Sequence, residues 1–491
     1  MKNNAHSVRQ LVFCCVTTFL TALLAVLSFL NPEKLPFSPL LVRMLLLPAL
    51  LLVTAGVNFS CLKTGFRALF SGKPDRHTAA VLTVALALVL CAFGVCPDAP
   101  ATAALLLTAS AWLDLLEQRL ESELPGAPAE RTAETVWTWA GFAAAVCAAA
   151  VWAALGAGIG AALTRALCVL AASALCPFRM IALLTACRAM RRMPVPAASV
   201  QTAEALGAAD TALICPEGLL TGEPAAAELR PAGMEEGQFL ALAASVMQGF
   251  ETPEAKAILH AARSRGLSAL HAEACEQTPD GFCAMLDGKH YYAGTPEQLR
   301  RHGVFAPRAD DVSLSGKTAL LFGMEGGMYL GLITLLSPLL SDAQEACRAL
   351  AAQRLRRLLP AGNYPLYTKW LAAQTGAEAA EAASPEQALA QLMQKGSPVC
   401  IRHGEPGAFL QEQTPVLSVP ALSAAPETVS VCRRAVRTRR SLQSLGAVCA
   451  FLLTGTAGGL LAPALDLGAA PALCTLLAIC LTALPIFPAF R

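Results

Sequence analysis

Apolar residues run along this chain in eight long segments, each close to the roughly 20 residues that a helix needs to cross a bilayer. They fall in pairs: Leu11–Leu30 with Pro36–Val57, Ala79–Val95 with Ala101–Leu116, Val136–Leu155 with Ala161–Leu184, and Leu445–Ala462 with Ala469–Phe487. Between the sixth and seventh, residues 193–440 are far more polar and read as a soluble domain. The pattern predicts a multi-pass α-helical membrane protein with eight spans and one large domain outside the bilayer.

Within that domain strand-like and helix-like pieces alternate, as in an α/β layer fold. Thr211–Ile214 reads as a short strand, and Thr318–Phe322 and Leu330–Leu335 flank "GMEGGM" as a hairpin. Asp342–Leu355 reads as an amphipathic helix, Pro385–Gln394 as a helix, and Val399–Ile401 and Val416–Val419 as strands. Residues 226–315 interrupt this with helices of their own, Gln238–Gln248 and Glu254–Arg265, and a hairpin around "LDGKHYYAG". The expected organisation is therefore spans one to four in 1–116, a short connector in 117–135, and spans five and six in 136–192. An α/β domain occupies 193–225 and 316–440, with an inserted α+β subdomain at 226–315, and 441–491 holds the last two spans.

Composition agrees: of 491 residues, 55% are hydrophobic and 15% charged, with a mean hydropathy of +0.52, outside the ordinary soluble range. A net charge of +2 gives no signature of a nucleic-acid partner. The distribution of basic residues says more. Arg9, Lys63, Arg67, Lys73, Arg76, Arg119, Arg188, Arg191, Arg192, Arg433, Arg434, Arg437, Arg439 and Arg440 fall on one side of an eight-span arrangement. Both termini and the large domain are thus expected to be cytoplasmic. The first segment is long, is followed at once by a second and has no small-residue cleavage site, so a retained helix is expected rather than a signal peptide.

The 18 cysteines show no C-x-x-C pair and no Cys/His cluster with structural-zinc spacing, and read as small buried hydrophobes. Arg43, Asp114 and Arg165 stand near predicted span ends, where snorkelling accounts for them. Pro177 is expected to unwind or kink its span. Cys176 and Cys187 lie eleven residues apart on one helix, about three turns, and cannot share an ion.

Several stretches in collinear order resemble the heavy-metal (copper/zinc/cadmium) branch of the P-type ATPases. "VQTAEALGAADTALICPEGLLTGEP" resembles the family's phosphorylation segment, "ETPEAKAILHAARSRG" its nucleotide-domain helix, and "GLITLLSPLLSDA" and "RLLPAGNYPLYTKWLAAQTG" the segments that follow. "SALCPFRMIALLTA" resembles the metal-site helix of the sixth span. The resemblance implies a haloacid-dehalogenase-like phosphorylation domain carrying a nucleotide-domain-like insertion, and a chemistry of ATP-driven soft-cation transport through an aspartyl phosphate.

The departures point the other way. Such phosphoryl transfer requires a carboxylate nucleophile, further carboxylates on Mg²⁺ and a lysine against the developing charge. The resemblance places the phosphorylated aspartate at Cys215, the next lysine at Pro216 and the next threonine at Glu217, while Gly218, Leu220 and Thr221 are retained. Two further aspartates fall on Ser337 and Asn363, beside a retained Gly362, and a lysine on Ala388. The two Mg²⁺ aspartates fall near Gly404 and Ala408, or in the shifted register on Glu405 and Phe409. A thiolate nucleophile at Cys215 is the alternative chemistry. Pro216 removes a donor there and Glu217 adds repulsion, so a buried cysteine closing a strand is the favoured reading.

The nucleotide-domain histidine falls on Thr252, with Pro253 kept, and the glycine loop appears as Pro279–Gly281. In the sixth span Cys176 and Pro177 remain while Phe178 replaces the second thiolate, leaving Cys176 a weak candidate metal ligand. Polar positions of the last two spans fall on Phe451, Leu452, Ala478, Leu481 and Thr482. Where the family carries an actuator domain, this chain has only "EQRLESELPGAPAERTAET", too short to fold alone.

The expectation is a P-type-ATPase-like membrane pseudoenzyme acting as a scaffold, regulator or sensor linked to metal-cation homeostasis. No cofactor is expected; Mg-ATP and a soft metal cation would be needed only if the family activity persists. The expected partners are the lipid bilayer and an intact P-type ATPase or metal-homeostasis protein. The alternatives are a working heavy-metal pump, and a non-hydrolysing nucleotide sensor using Tyr291, Tyr292, Lys256 and Lys289.

Overall fold

A computed structural model describes residues 2–29, 42–124, 131–175, 178–195, 197, 199–382, 385–394, 396–404, 415–459 and 471–483. The chain divides into two compact units, Met1–Arg192 with Ser199–Gln201 and Arg434–Arg491, and Met193–Ala198 with Thr202–Arg433.

The first unit is helical. All eight apolar segments carry helix among the described residues, but not all to the same length. Arg9–Ser28, Ala99–Glu123, Glu134–Ala154, Ile159–Arg192 and Ala424–Gly458 are long and apolar enough to cross a membrane. Met44–Val57 and Phe59–Phe70 make a sixth if taken together, though they meet at an 81° bend. Arg76–Ala92 and Pro471–Leu481 are shorter, so five or six helices meet this measure among the described residues, fewer than the eight expected spans. The reason is visible at Arg76–Ala92. Asp75 caps its start by accepting the Thr78 amide at 3.0 Å, and the turn at Phe93–Gly94 ends it after 17 residues. That is about 25 Å of helix against roughly 30 Å of hydrocarbon.

Leucine and alanine fill the interior of this unit, with Leu24, Leu47, Leu90, Leu106, Leu107 and Leu167 among its most buried side chains. Phe19, Leu52, Val146, Val151 and Phe451 are exposed instead, an apolar outer surface suited to lipid. Two sequence expectations change here. Asp114 is ion-paired with Arg76, and Arg165 is buried with its guanidinium 4.0 Å from the centroid of the Trp152 ring, so neither snorkels. The side chain of Arg43 lies outside the described residues.

The second unit holds two sheets. Strand β1 (Thr211–Ile214) is followed by β2 (Ala225–Pro231), β3 (Ala274–Thr278), β4 (Gly281–Leu286), β5 (Lys289–Gly294), β6 (Thr318–Met324) and β7 (Met328–Leu336). The chain then returns through β8 (Arg356–Leu359), β9 (Glu378–Ala379), β10 (Pro398–Arg402) and β11 (Val416–Ser418). One sheet is parallel in the order β11-β10-β1-β8-β9, and the other antiparallel in the order β2-β7-β6-β5-β4-β3. The "LDGK" hairpin forms as its sequence requires, with Asp287 and Gly288 at φ of +50° and +71°, the left-handed pair of a two-residue turn.

The hairpin around "GMEGGM" also forms, as β6 and β7, but in the other sheet. It pairs with β2 and β5, so the insertion's antiparallel sheet extends to Leu336 rather than ending at 315. Phe239 and Phe322, edge-to-face at 5.7 Å, join a helix of the insertion to β6 in one core with Leu240, Ile258, Leu320 and Ile333.

Candidate functional site

Open parallel sheets place their ligands at the carboxyl ends of the strands, and the sequence-derived positions gather there. Central β1 lies between β10 and β8, with Ile214 opposite Ile401 and Leu213 opposite Leu358. Cys215 follows β1, Asn363 lies in the turn after β8, and Gly404 follows β10. The Leu340 amide donates to the Leu220 carbonyl at 2.9 Å and that of Gly222 to Pro338 at 2.8 Å, which brings the segment after β7, with half-buried Ser337, beside the loop. The lysine position Ala388 is buried with Leu389 against Leu213 and Leu358. Ala408, like Glu405 and Phe409, lies outside the described residues.

The loop after Cys215 closes on itself. The amides of Leu219, Leu220 and Thr221 all donate to the Pro216 carbonyl, at 3.3, 2.8 and 3.0 Å, and the Thr221 hydroxyl does so at 3.2 Å. Gly218 donates to Thr221 at 3.0 Å and Cys215 to Ile401 at 2.9 Å. Gly218 has φ of +72°, and a β-carbon there would lie 2.9 Å from the His403 ring, so a glycine is needed at this position. With these amides engaged, the loop does not present them to an incoming phosphate.

Charge around the loop is also ill-suited to phosphoryl transfer. Surrounding protein and the Glu254 carboxylate push the Glu217 carboxyl above its ordinary range, against the pull of Arg402, although solvent reaches the residue. Among the described residues no group of three His, Cys, Asp or Glu side chains is placed to hold a metal ion. Cys215, Ser337, Asn363 and Gly404 themselves offer no carboxylate to a Mg²⁺ ion. Sequence reading missed Cys400, whose thiol is 3.9 Å from that of Cys215. Cys215 is held below the usual thiol range by a hydrogen bond from Cys400, against burial and Glu217, with Arg402 assisting; Cys400, as the donor, is pushed up. Arg402 was missed as well: β10 is buried without a break from Pro398 to Ile401, so no alternation along the strand marked either residue.

A small cleft of about 50 Å³ lies within this unit, lined by Glu254, Thr278, Gly281, Phe282, Gln298, Asn363 and Tyr364 among others. It brings nucleotide-loop position Gly281 together with Asn363. Gly281 has φ of +108°, and a β-carbon there would meet the Ala293 carbonyl at 2.6 Å. Thr252 caps the helix Pro253–Ser264 by accepting the Ala255 amide, and Pro253 takes its first turn. The lining includes a carboxylate and no Lys or Arg, and none of Tyr291, Tyr292, Lys256 or Lys289. Tyr292 stacks instead on His302, ring centroids 4.2 Å apart. A polyphosphate would find no cation in this lining.

In the helical unit Cys176 and Pro177 lie outside the described residues. Phe178 begins the helix Phe178–Arg192 and packs its ring edge-to-face on Trp137 at 5.9 Å. Phe451 and Leu452 are 69% and 58% exposed, on the outer surface rather than toward a bundle interior.

No protein-family profile matches the chain. It is similar to the "Copper-exporting P-type ATPase" of Legionella pneumophila, 27% identical over 251 residues, covering 48% of this chain and 34% of that protein. It is also similar to the "Copper-transporting ATPase 2" of Rhizobium meliloti, 26% identical over 234 residues, 45% of this chain and 27% of that protein. The chain thus matches about a third of the length of these curated relatives. A zinc-transporting PIB-type ATPase crystallised in its E2.Pi state has the same fold, with a TM-score of 0.61 and 16% identity over all of both chains. Homologues and structural neighbour alike are heavy-metal P-type ATPases.

Proposed function

We propose that this relative of the heavy-metal P-type ATPases is a membrane pseudoenzyme that does not hydrolyse ATP. It acts as a scaffold, regulator or sensor linked to metal-cation homeostasis, with the large domain and both termini on the cytoplasmic side. One observation carries the reading: at the carboxyl edge of the parallel sheet, where Cys215, Ser337, Asn363 and Gly404 gather, none of these residues is a carboxylate. Neither an aspartyl phosphate nor a Mg²⁺ that needs oxygen ligands is supported by that set.

The membrane side supports the same reading. Only residues 124–130 separate the helices Ala99–Glu123 and Arg131–Ala154, which leaves no room for a domain that would dephosphorylate the loop and move the helices. The bilayer and an intact pump or metal-homeostasis protein are the proposed partners.

The test is direct. The purified protein in lipid, given Mg-ATP and Cu⁺, Zn²⁺ or Cd²⁺, forms no acid-stable phosphoenzyme and releases no phosphate above background. Metal-stimulated turnover that vanishes in Cys215→Ala would instead establish a working pump with a thiol nucleophile.

A further inference from the structure

We infer that Arg434, Arg437 and Arg440 form a docking face for anionic phospholipid headgroups, in the leaflet through which the helix Ala424–Gly458 enters the bilayer. This goes beyond the pseudoenzyme reading and does not depend on it, because no step of it involves nucleotide or metal.

The fold sorts the arginines of this helix. Five fall within "RRAVRTRR", residues 433–440. Arg433 is half-buried and gives its guanidinium to the carbonyls of Ala209 and Gln353, and Arg439 is half-buried as well. Arg434, Arg437 and Arg440 are exposed. Among the described residues no carboxylate pairs with any of these three, and the helix itself carries none from Thr428 to Gly458.

Their direction identifies the occupant. Leu445, Val448 and Phe451 stand eleven residues beyond Arg434, Arg437 and Arg440 in turn, which is about three turns of helix, so each arginine lies nearly in line with one of them. All three apolar side chains are exposed, on a helix long and apolar enough to cross a membrane. One continuous stripe therefore changes from guanidinium to hydrocarbon between Arg440 and Leu445. Topology alone asks only that basic residues stay on one side of the membrane. It does not require them to be unpaired and to head the lipid-facing stripe.

Depth agrees with that occupant. The rise from Leu445 back to Arg440 is about 7.5 Å, against a headgroup layer of roughly 5–7 Å outside the hydrocarbon on each side. Side chains on a helix lean toward its N-terminus, here away from the hydrocarbon, so Arg440 meets headgroups without burying its charge. Arg437 and Arg434 follow about one and two turns further out, where a negative surface still acts across a Debye length of about 8 Å. Each arginine so placed is worth roughly fivefold in affinity for an anionic surface. An acidic protein segment would have to displace headgroups to reach Arg440, which favours lipid as the occupant.

The full chain in phosphatidylcholine vesicles, with a trace of spin-labelled phosphatidylglycerol or spin-labelled phosphatidylcholine, tests this. The readout is the motionally restricted fraction of each probe by electron spin resonance. The wild type is expected to restrict more of the phosphatidylglycerol, and the excess to shrink as salt is raised. Arg434→Gln with Arg437→Gln and Arg440→Gln is expected to lose about half of the excess or more, while the same three positions changed to lysine are expected to keep it. Arg263→Gln with Arg300→Gln and Arg348→Gln removes as much charge from exposed positions of the second unit and is expected to leave the excess unchanged. Equal restriction of both probes by the wild type overturns the proposal, as does an excess that survives the first glutamine variant or falls equally in the second. Arginine-dependent capture of soluble polyglutamate with no preference between the lipids would give the face to an acidic protein segment and overturn it too. Phosphate release is not read here, so failure of this face leaves the pseudoenzyme reading standing, and the reverse holds too.

Discussion

Arg76 and Glu117 clasp each other through two hydrogen bonds, at 2.6 and 2.7 Å, with both side chains only 5% exposed. The pair is the centre of a charged knot. Asp114 also takes Arg76, and Arg179 reaches Glu117 at 3.5 Å and binds Glu121. Three helices, Arg76–Ala92, Ala99–Glu123 and Phe178–Arg192, are tied at one end by these contacts.

Removing one partner leaves a charge buried without its counter-ion. Glu117→Ala is expected to destabilise the protein by about 3–5 kcal/mol, read as a lowered unfolding midpoint in detergent. The double variant Arg76→Met with Glu117→Met is expected to lose less than Glu117→Ala. A double variant that loses the sum of its single variants would show that the two side chains do not act together.

The thiol of Cys215 is expected to alkylate at lower pH than a free cysteine, because the hydrogen bond from Cys400 favours its thiolate. Cys400→Ala removes that donor, while burial and Glu217 remain and act upward. The midpoint of the iodoacetamide rate against pH should therefore rise in that variant, with peptide mass spectrometry assigning the modified residue. A midpoint that stays put would mean that Cys400 does not set it.

Restoring the nucleophile alone should not restore catalysis. Cys215→Asp with Pro216→Lys returns a carboxylate and a lysine, but the Mg²⁺ carboxylates are still missing at Asn363 and near Gly404. Each such electrostatic contact is typically worth on the order of 100-fold or more in rate, and groups that act as a unit fail together. Acid-quench labelling with radioactive ATP is expected to show no phosphoenzyme. Metal uptake by vesicles carrying the double variant would overturn this.

Gly281→Ala forces a β-carbon against the Ala293 carbonyl at a left-handed φ. Strain of this kind costs about 1–3 kcal/mol. The expected sign is faster cleavage of the antiparallel-sheet region in limited proteolysis of the full chain, whereas Gly288→Asn in the β4–β5 turn should be nearly neutral because asparagine tolerates that conformation.

Sidedness can be read by thiol labelling. Cys275 is exposed on β3 and Cys283 half-buried on β4, whereas Cys432 is buried. A membrane-impermeant maleimide applied from the cytoplasmic face of sealed vesicles is expected to reach Cys275 first and to miss Cys432. Labelling of Cys275 only from the opposite face would invert the proposed topology.

What could be read along the chain was what depends on near neighbours. The apolar runs, the "LDGK" turn, the helix read at Glu254–Arg265 and the strands at Thr211, Val399 and Val416 need only local periodicity and turn chemistry, and all appear as elements. Partner choice was not legible. The apolar runs at 318–322 and 330–335 announce a buried hairpin but not its neighbours, and β2 and β5 of the insertion take that place rather than the strands of 316–440. Cys215 and Cys400 stand 185 residues apart, beyond any spacing rule. Arg76 read as one of many loop charges and Asp114 as a snorkelling one, because burial is settled by helices that meet only in the folded chain.

Ala388 is 2% exposed and packs with Leu389, Leu213, Leu358 and Cys400. A lysine placed at this position would carry its ammonium into an apolar cluster, at a cost of several kcal/mol, or push the helix Pro385–Met393 off the sheet. Position 388 thus acts as a latch on the helix Pro385–Met393: it admits a methyl group and refuses a charge, so a single exchange to lysine here is expected to loosen the sheet.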